Sequence, residues 1–379
     1  MPWKEVSAMS LRREFVQLAS QEGVNVRELC RRFEVSPKTA YKWLARFRAA
    51  GTAGLEDRSR RPAHSPGRTR GDVEQAVLKL RAEHPAWGGR KLRARLQALG
   101  TADVPSASTL TAILRRHDAL AAAATGPPHA WRRFEHEAPN RLWQMDFKGH
   151  FALERGRCHP LTVLDDHSRF ALGLIACADE RAATVQPHLT ALFRRYGLPE
   201  RLLCDNGSPW GAGSGSAHTA LTVWLLRLGI GVSHGRPYHP QTQGKDERFH
   251  RTLNAEVLQG RTFRDLEVSQ QRFDAWRPVY NDERPHEALG MAVPSSRYRP
   301  SLRAFPEALP ELVYGAGDVV RKVQSGGVIH FRGREWPVGQ AFHGNPVALR
   351  ATTTDGLWEV YFGVHRIASI DQRAQNEST

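Results

Sequence analysis

"CHPLTVLDDHSRFALGLIACAD", residues 158–179, decides how this chain folds. Two apolar runs meet at Asp165-Asp166-His167-Ser168. Aspartate side chains at such a junction cap backbone N–H groups, so Asp165 and Asp166 read as turn chemistry. With "RLWQMDFKGHF" (141–151) in front, the three runs predict strands joined by tight connections, an antiparallel meander. Working outward, "RAATVQPHLTALFRRYG" (181–197) predicts a helix ended by Gly197. "ERLLCDNGSPW" (200–210) predicts a short apolar strand running into Asp205-Asn206-Gly207. A helix over about 217–229, the strand "IGVSHG" and a helix from about 242 to 259 follow.

Three strands, then helix, strand, helix, strand and helix resemble the ribonuclease H-like fold. Asp146 falls in mid-strand, where an acid is costly unless a metal or partner compensates. Asp205 ends a buried strand just before a turn. On the 242–259 helix, Phe249, Leu253 and Val257 define the buried stripe. Glu247 then lies on the face left free, Asp246 projects towards the stripe, and Glu256 points away from Glu247. Asp146, Asp205 and Glu247 are therefore the candidate acids.

"WQMDFKG", "LLCDNGSPW" and "HPQTQGKDERFHRTL", in that order, resemble the catalytic core of integrase-type DDE transposases of bacterial insertion sequences, relatives of retroviral integrases. The resemblance covers residues 140–300, including "YNDERPHEAL" (280–289). It departs in two places; in the first, 41 residues separate Asp205 from Glu247, more than is usual in retroviral integrases, and "WGAGSGSAHT" holds the surplus. Residues 1–63 contain no histidine and one cysteine, so the zinc-binding His/Cys domain of retroviral integrases is absent there.

The resemblance implies metal-dependent cleavage and strand transfer at the ends of a mobile element. Asp146, Asp205 and Glu247 would be catalytic and would ligate two Mg²⁺ (or Mn²⁺) ions. In-line displacement at a phosphodiester suits two divalent ions about 4 Å apart on hard oxygen ligands. His239, Gln241, Gln243, Lys245, Arg248 and Arg251, around Glu247, are candidate phosphate and base contacts. The partners implied are double-stranded DNA (the terminal inverted repeats and the target) and further copies of the chain, at least a dimer. The competing reading is a non-catalytic DNA-binding regulator derived from such an enzyme.

Charge points the same way. The net charge is +15, and residues 1–125 hold 23 Lys/Arg against 12 Asp/Glu, whereas the remainder holds 31 against 27. A basic front end on a nearly balanced body predicts a polyanion-binding module. "NVRELCRRFEVSPKTAYKWLARF" supplies one: Leu29, Cys30 and Phe33 recur at helical spacing, Ser36 caps and Pro37 begins the next helix. Ala40, Leu44 and Phe47 form the apolar stripe of this second helix, with Lys38, Thr39, Lys42 and Arg46 opposite, a helix-turn-helix with a basic outer face. Arg58, Arg60 and Arg61 lie in a basic linker. A second helix-turn-helix is built on Val73, Ala76, Val77 and Leu80, then Leu92, Leu96 and Leu99, then Leu110, Ile113 and Leu114 after Ser106. Its Arg90, Lys91 and Arg93 are candidate DNA contacts.

From Gly317 onward, alternating apolar and polar residues with glycine turns predict about five strands in a small barrel. The expected organisation is multidomain: helix-turn-helix at 1–55, linker 56–71, second helix-turn-helix-like domain 72–120, linker 121–139, α/β ribonuclease H-like core 140–300, linker 301–316 and all-β barrel 317–371. Four cysteines without CxxC spacing exclude a cysteine zinc site and fit a reducing cytosol. The opening residues are too charged for a signal peptide and no run spans a membrane, so a cytoplasmic, nucleoid-associated protein is expected.

Overall fold

The computed structural model describes residues 7–58, 69–120, 135–211, 218–235 and 244–373. The chain divides into two compact units, residues 1–68 and 69–379.

The first unit holds α1 (Ala8–Ala19), α2 (Val26–Arg32) and α3 (Pro37–Ala50). Asn25 caps α2, and Ser36 caps α3 by accepting from Thr39 N at 3.2 Å. Phe15, Val16, Leu29, Cys30, Ala40, Leu44 and Leu55 close the core. Trp43 joins it, a position outside the predicted stripe, with the Arg12, Lys42 and Arg46 cations 4.0, 4.6 and 4.9 Å from its ring.

The second unit opens with α4 (Gly71–Glu83), α5 (Gly89–Ala98) and α6 (Ala107–Arg116), and Ser106 caps α6. Val77, Leu80, Trp87, Leu92, Leu96, Leu110, Ile113 and Leu114 form its core. Leu99, expected in the stripe, is 58% exposed because α5 stops one residue earlier. Gly89 is where α5 and α6 approach most closely: a Cβ there would sit 2.4 Å from the Ala107 carbonyl oxygen.

The central sheet contains β1 (Trp143–Phe147), β2 (Phe151–Ala152), β3 (Arg157–Asp165), β4 (Ala171–Cys177), β5 (Arg201–Cys204) and β6 (Gly231–His234). β1, β3 and β4 pair antiparallel, as the meander requires, and β5 and β6 extend the sheet in parallel from β1. The strands are shorter than the apolar runs suggested at 141–151 and 200–210. α7 (Ala182–Tyr196) and α8 (Ala220–Arg227) cover one face, where Trp143, Met145, Leu161 and Val163 meet Val185, Leu189, Phe193 and Leu225. α9 (Gly244–Leu253) and α10 (Leu266–Pro278) cover the other, where Leu164, Ala171 and Leu174 meet Phe249, Leu253, Phe273, Trp276 and Tyr280.

Both helices on this second face end in wider π-type turns, at Asn254–Leu258 and Val279–Glu283. The continuous helix expected up to residue 259 is therefore ten regular residues followed by a widened turn.

The C-terminal region is rich in strands: β7 (Val319–Lys322), β8 (Val328–Phe331), β9 (Arg334–Pro337), β10 (Pro346–Ala351), β11 (Leu357–Phe362) and β12 (His365–Asp371). Six strands replace the expected five, arranged as a four-stranded antiparallel sheet and a separate hairpin around one core. That core also takes in Val223 and Leu226 of α8. The fold is thus the multidomain arrangement anticipated from the sequence: helical modules, a mixed α/β core and a strand-rich end.

Candidate active site

Alternation along β1 sends Trp143 and Met145 into the α7 layer and leaves Gln144 and Asp146 facing α9. β1 and β5 run parallel with Trp143 opposite Leu202 and Gln144 opposite Leu203. Counting on in that register sets Asp146 opposite Asp205. Neighbouring parallel strands lie about 4.8 Å apart, so two carboxylates here share one patch of space. Burial, and then the Asp205 charge, push the Asp146 carboxyl up to about 7. Burial raises Asp205 as well, opposed by the Gly207 N–H that its carboxylate accepts at 3.2 Å.

The turn after β5 is pinned by the Asn206 amide donating to Gly235 O and by His234 Nδ1 on Asp205 O, each at 2.8 Å. That fixes the strand end from which Asp205 projects.

Glu180, on the β4–α7 connection, adds negative field at both acids and bonds His159 Nδ1 at 2.8 Å. Thr162 lies opposite Asp146 on β3. Its hydroxyl donates to Asp146 O at 2.9 Å, so the His250 Nε2 2.9 Å away must be the donor to it. Burial drives His250 down to about 4, which keeps its ring neutral in that role. This pair seats α9 on the acidic face of the sheet.

Asp246 is 1% exposed, and neither carboxylate oxygen has a hydrogen-bond partner among the described residues. Burial, then Asp146 and Asp166, raise its pKa well above the carboxylate range. Glu247 is exposed on the free side of α9, as its helical angle predicted. Among the described residues no three His, Cys, Asp or Glu side chains gather closely enough to hold a metal ion. Asp146 and Asp205 are brought together, and Glu247 stays apart from them.

Asp165 and Asp166 divide their work. Asp165 caps the turn, accepting from Asn140 N, Ser168 N and Ser168 Oγ at 2.7, 2.8 and 2.6 Å. Asp166 does more than a turn residue: it accepts from His136 N at 2.8 Å, Gln144 Nε2 at 2.7 Å and the Lys245 ammonium. Lys245, expected on phosphate, is therefore committed to a buried carboxylate, with its side chain only 16% exposed. Sequence separations of 22 and 79 residues hid these contacts; the polar Gln144 in an apolar strand was the available signal.

Of the other candidate contacts, Lys38, Lys42, Arg58, Arg90, Arg248 and Arg251 are exposed. Thr39 and Arg46 are half-buried, the first bonded to Ser36 Oγ and the second against Trp43. Arg93 is turned inward to the Pro105 carbonyl at 3.0 Å, a correction to its expected outward role. Lys91 is half-buried beside the core. Arg60, Arg61, His239, Gln241 and Gln243 and the 212–217 stretch lie outside the described residues.

Comparison with known proteins places this geometry in a family. Residues 318–378 match the C-terminal domain of IS481 family transposases. Residues 136–240 and 228–294 match integrase core domains, residues 11–63 a helix-turn-helix domain and residues 39–114 a homeodomain-like domain. The chain thus carries domains like those of integrase-type transposases of insertion sequences.

The chain is 28% identical over 179 residues to an uncharacterised 31.7 kDa protein of insertion element IS407 from Burkholderia multivorans, covering 46% of this chain and 62% of that one. It is 28% identical over 159 residues to an uncharacterised 39.2 kDa protein of insertion element IS476 from Xanthomonas euvesicatoria, covering 41% and 44%. The match thus spans about half the length of these relatives. A chain of a simian T-cell lymphotropic virus intasome structure, solved with PP2A regulatory subunit B56 gamma, is similar at 15% identity, with 78% of this chain and 95% of that one covered and a TM-score of 0.39. No helix among the described residues is long and apolar enough to cross a membrane.

Proposed function

We propose that the protein binds the terminal repeats of its mobile element and catalyses DNA strand cleavage and strand transfer, with Asp146, Asp205 and Glu247 as the catalytic acids. The observation that carries this reading is the meeting of Asp146 and Asp205 on adjacent parallel strands, where Asp146 is held at about 7 by burial and by its neighbour. Two oxygen-only side chains that repel each other are a donor set suited to Mg²⁺ or Mn²⁺. Asp146 and Asp205 would hold the metal; Glu247, apart from them in this structure, is the third acid by its place on the exposed side of α9. Bound there, divalent ions would supply Lewis-acid stabilisation of the phosphate charge and lower the pKa of an attacking oxygen.

The chain's own residues supply position. β1 and β5 fix the two acids, and the His250–Thr162 bond holds α9 across them. Arg248 and Arg251 face outward to grip phosphates near Glu247. In the first reaction a water oxygen bonds to phosphorus and the bond to the 3′-oxygen breaks, leaving a 3′-hydroxyl and a 5′-phosphate. In the second that 3′-hydroxyl attacks a target phosphodiester and displaces its 3′-oxygen, with no protein-linked intermediate. The helical units at 1–55 and 72–120 read DNA, and copies of the chain assemble on it.

The test is a labelled terminal-repeat duplex with purified protein and Mg²⁺ or Mn²⁺. Wild type should nick and join ends. Asp146→Asn and Glu247→Gln should bind the duplex as well as wild type does and lose the reaction by about 10³-fold or more. Specific binding without cutting under either metal would leave the DNA-binding regulator as the reading.

A further inference from the structure

The second helical module is not a free tether on the core. Arg95 Nη2 of α5 bonds Glu283 Oε2 at 2.6 Å, and Arg90 lies 3.9 Å from Glu287. Val279 packs against the module's own apolar core. All three core residues belong to the segment just after α10, which packs against α9 through Tyr280 and Phe249. A chain of direct contacts therefore runs from α5 to the helix that carries Glu247.

The join also shapes a surface. A cleft of about 590 Å³ opens between the starts of α5 and α6, lined by Gly89, Arg90, Lys91, Ser108 and Thr111 of the module and by Glu287 of the core. An occupant of this cleft would touch both. Arg90 is exposed at its mouth. Behind it, Lys91 is held down to about 8 by burial, then by Arg284, with Arg248 of α9 also in its field. Arg90, Lys91, Arg284 and Arg248 thus lie between the cleft and Glu247, interleaved with Glu287 and Glu256. The ten residues of α9 span about 15 Å at about 1.5 Å each, no more than about four or five base steps of duplex.

We propose that a DNA end gripped in the cleft between α5 and α6 is delivered to the Asp146/Asp205 face of the same chain. The inference rests on the DNA-processing reading above. It means that end recognition by this module and catalysis are coupled in cis, whatever the number of copies in the assembly. The alternative is a module that feeds a neighbour's active site.

Two full-length proteins separate these cases. One carries Arg90→Glu and Ser108→Glu, both on exposed positions of the cleft, and keeps its acids. The other keeps the cleft and carries Asp146→Asn. Mixed in equal amounts with labelled end duplex and Mg²⁺, they should nick at a rate more than about tenfold below wild type, because no chain has both parts. Recovery to within about tenfold of wild type overturns the proposal.

A second readout does not depend on cutting. A photo-crosslinking amino acid replaces Arg251 in one partner of the mixture at a time, without metal. Crosslinks to DNA should come from the intact-cleft chain in excess of about fivefold. Equal yields, a reversed ratio, or no crosslink overturn the proposal. Cis crosslinking from a wild type that never cuts would leave delivery standing and remove the transposase activity. Cutting with the reversed ratio would do the opposite.

Discussion

Asp246 lies in the field of Asp166, and the two acids have opposite prospects. Asp166 is fully buried but met by donors from His136, Gln144 and Lys245. Removing it withdraws the buried acceptor that all three donors share, so Asp166→Ala should cost about 3–5 kcal/mol, read from urea unfolding midpoints. Among the described residues Asp246 has no donor to lose. Asp246→Val should raise stability by about 1–3 kcal/mol at pH 7.5, since the cost of a buried unpaired acid outweighs the small helix penalty of a β-branched residue. A destabilised Asp246→Val would mean that the carboxyl has a structural role its geometry does not reveal.

Asp146 gives the stability a pH dependence. For Asp146 the folded pKa of about 7 lies above the ordinary 3.8. Between those values the folded state holds a proton that the unfolded state has shed, so stability falls as pH rises. Metal-free protein should lose stability from pH 4 towards pH 7, and Asp146→Asn should flatten that part of the profile. Parallel profiles for the two proteins would refute the assignment.

At the level of elements, α10 does for β4 what another strand would have done. β4 is the outer strand of the meander, and its free edge would otherwise offer unpaired backbone groups. Asn281 accepts from Ala171 N at 2.8 Å and donates to Ala171 O at 3.1 Å. Gln270 does the same for Ala176 N and Leu174 O, and Arg277 donates to Leu172 O. Asn281→Ala would orphan two buried backbone groups and should cost about 2–4 kcal/mol. Faster hydrogen exchange at the Ala171 amide would identify the cause; unchanged exchange would reject it.

This arrangement also marks where sequence reading succeeds and stops. Period-two apolar runs foretold β1, β3 and β4, and the 3.6-residue stripe of Phe249, Leu253 and Val257 foretold which side of α9 is buried, because burial writes itself into local periodicity. α10 carries the same signal in Leu266, Ser269, Phe273 and Trp276 after the capping Asp265, a weaker pattern than the motifs on either side of it. Asn281 on Ala171 and Lys245 on Asp166 join residues 110 and 79 positions apart, and no local pattern encodes such pairs. Trp43 reads as an outward residue amid cations until three of those cations stack on it. The pairing of Asp146 with Asp205 needs the β1–β5 register, which strand propensity does not contain; there the resemblance to a known core supplied what periodicity lacked.

For the whole molecule, the decisive fact is the division at residue 68. Residues 1–68 hold 14 Lys/Arg against 7 Asp/Glu and form their own compact unit, while the second helical module is built into the unit that holds the acids. Affinity and chemistry should therefore separate along the chain. A protein beginning at residue 69 should unfold with a midpoint within about 1 kcal/mol of the corresponding transition in the full chain, since no core residue of its own unit is lost. Its grip on DNA should weaken in a particular way. Each phosphate neutralised contributes about 0.9 to the slope of log affinity against log salt, so loss of up to six candidate cations in the first unit should reduce the slope by up to about 5. Nicking measured at saturating DNA and low salt should survive, because the cleft at α5 and α6, Arg248 and the acids all remain. If the shortened chain binds with an unchanged salt slope, the first unit does not neutralise phosphate and its basic face has another use. If it binds but no longer nicks at saturation, the first unit contributes to the reacting geometry, and recognition and catalysis are not divided at residue 68.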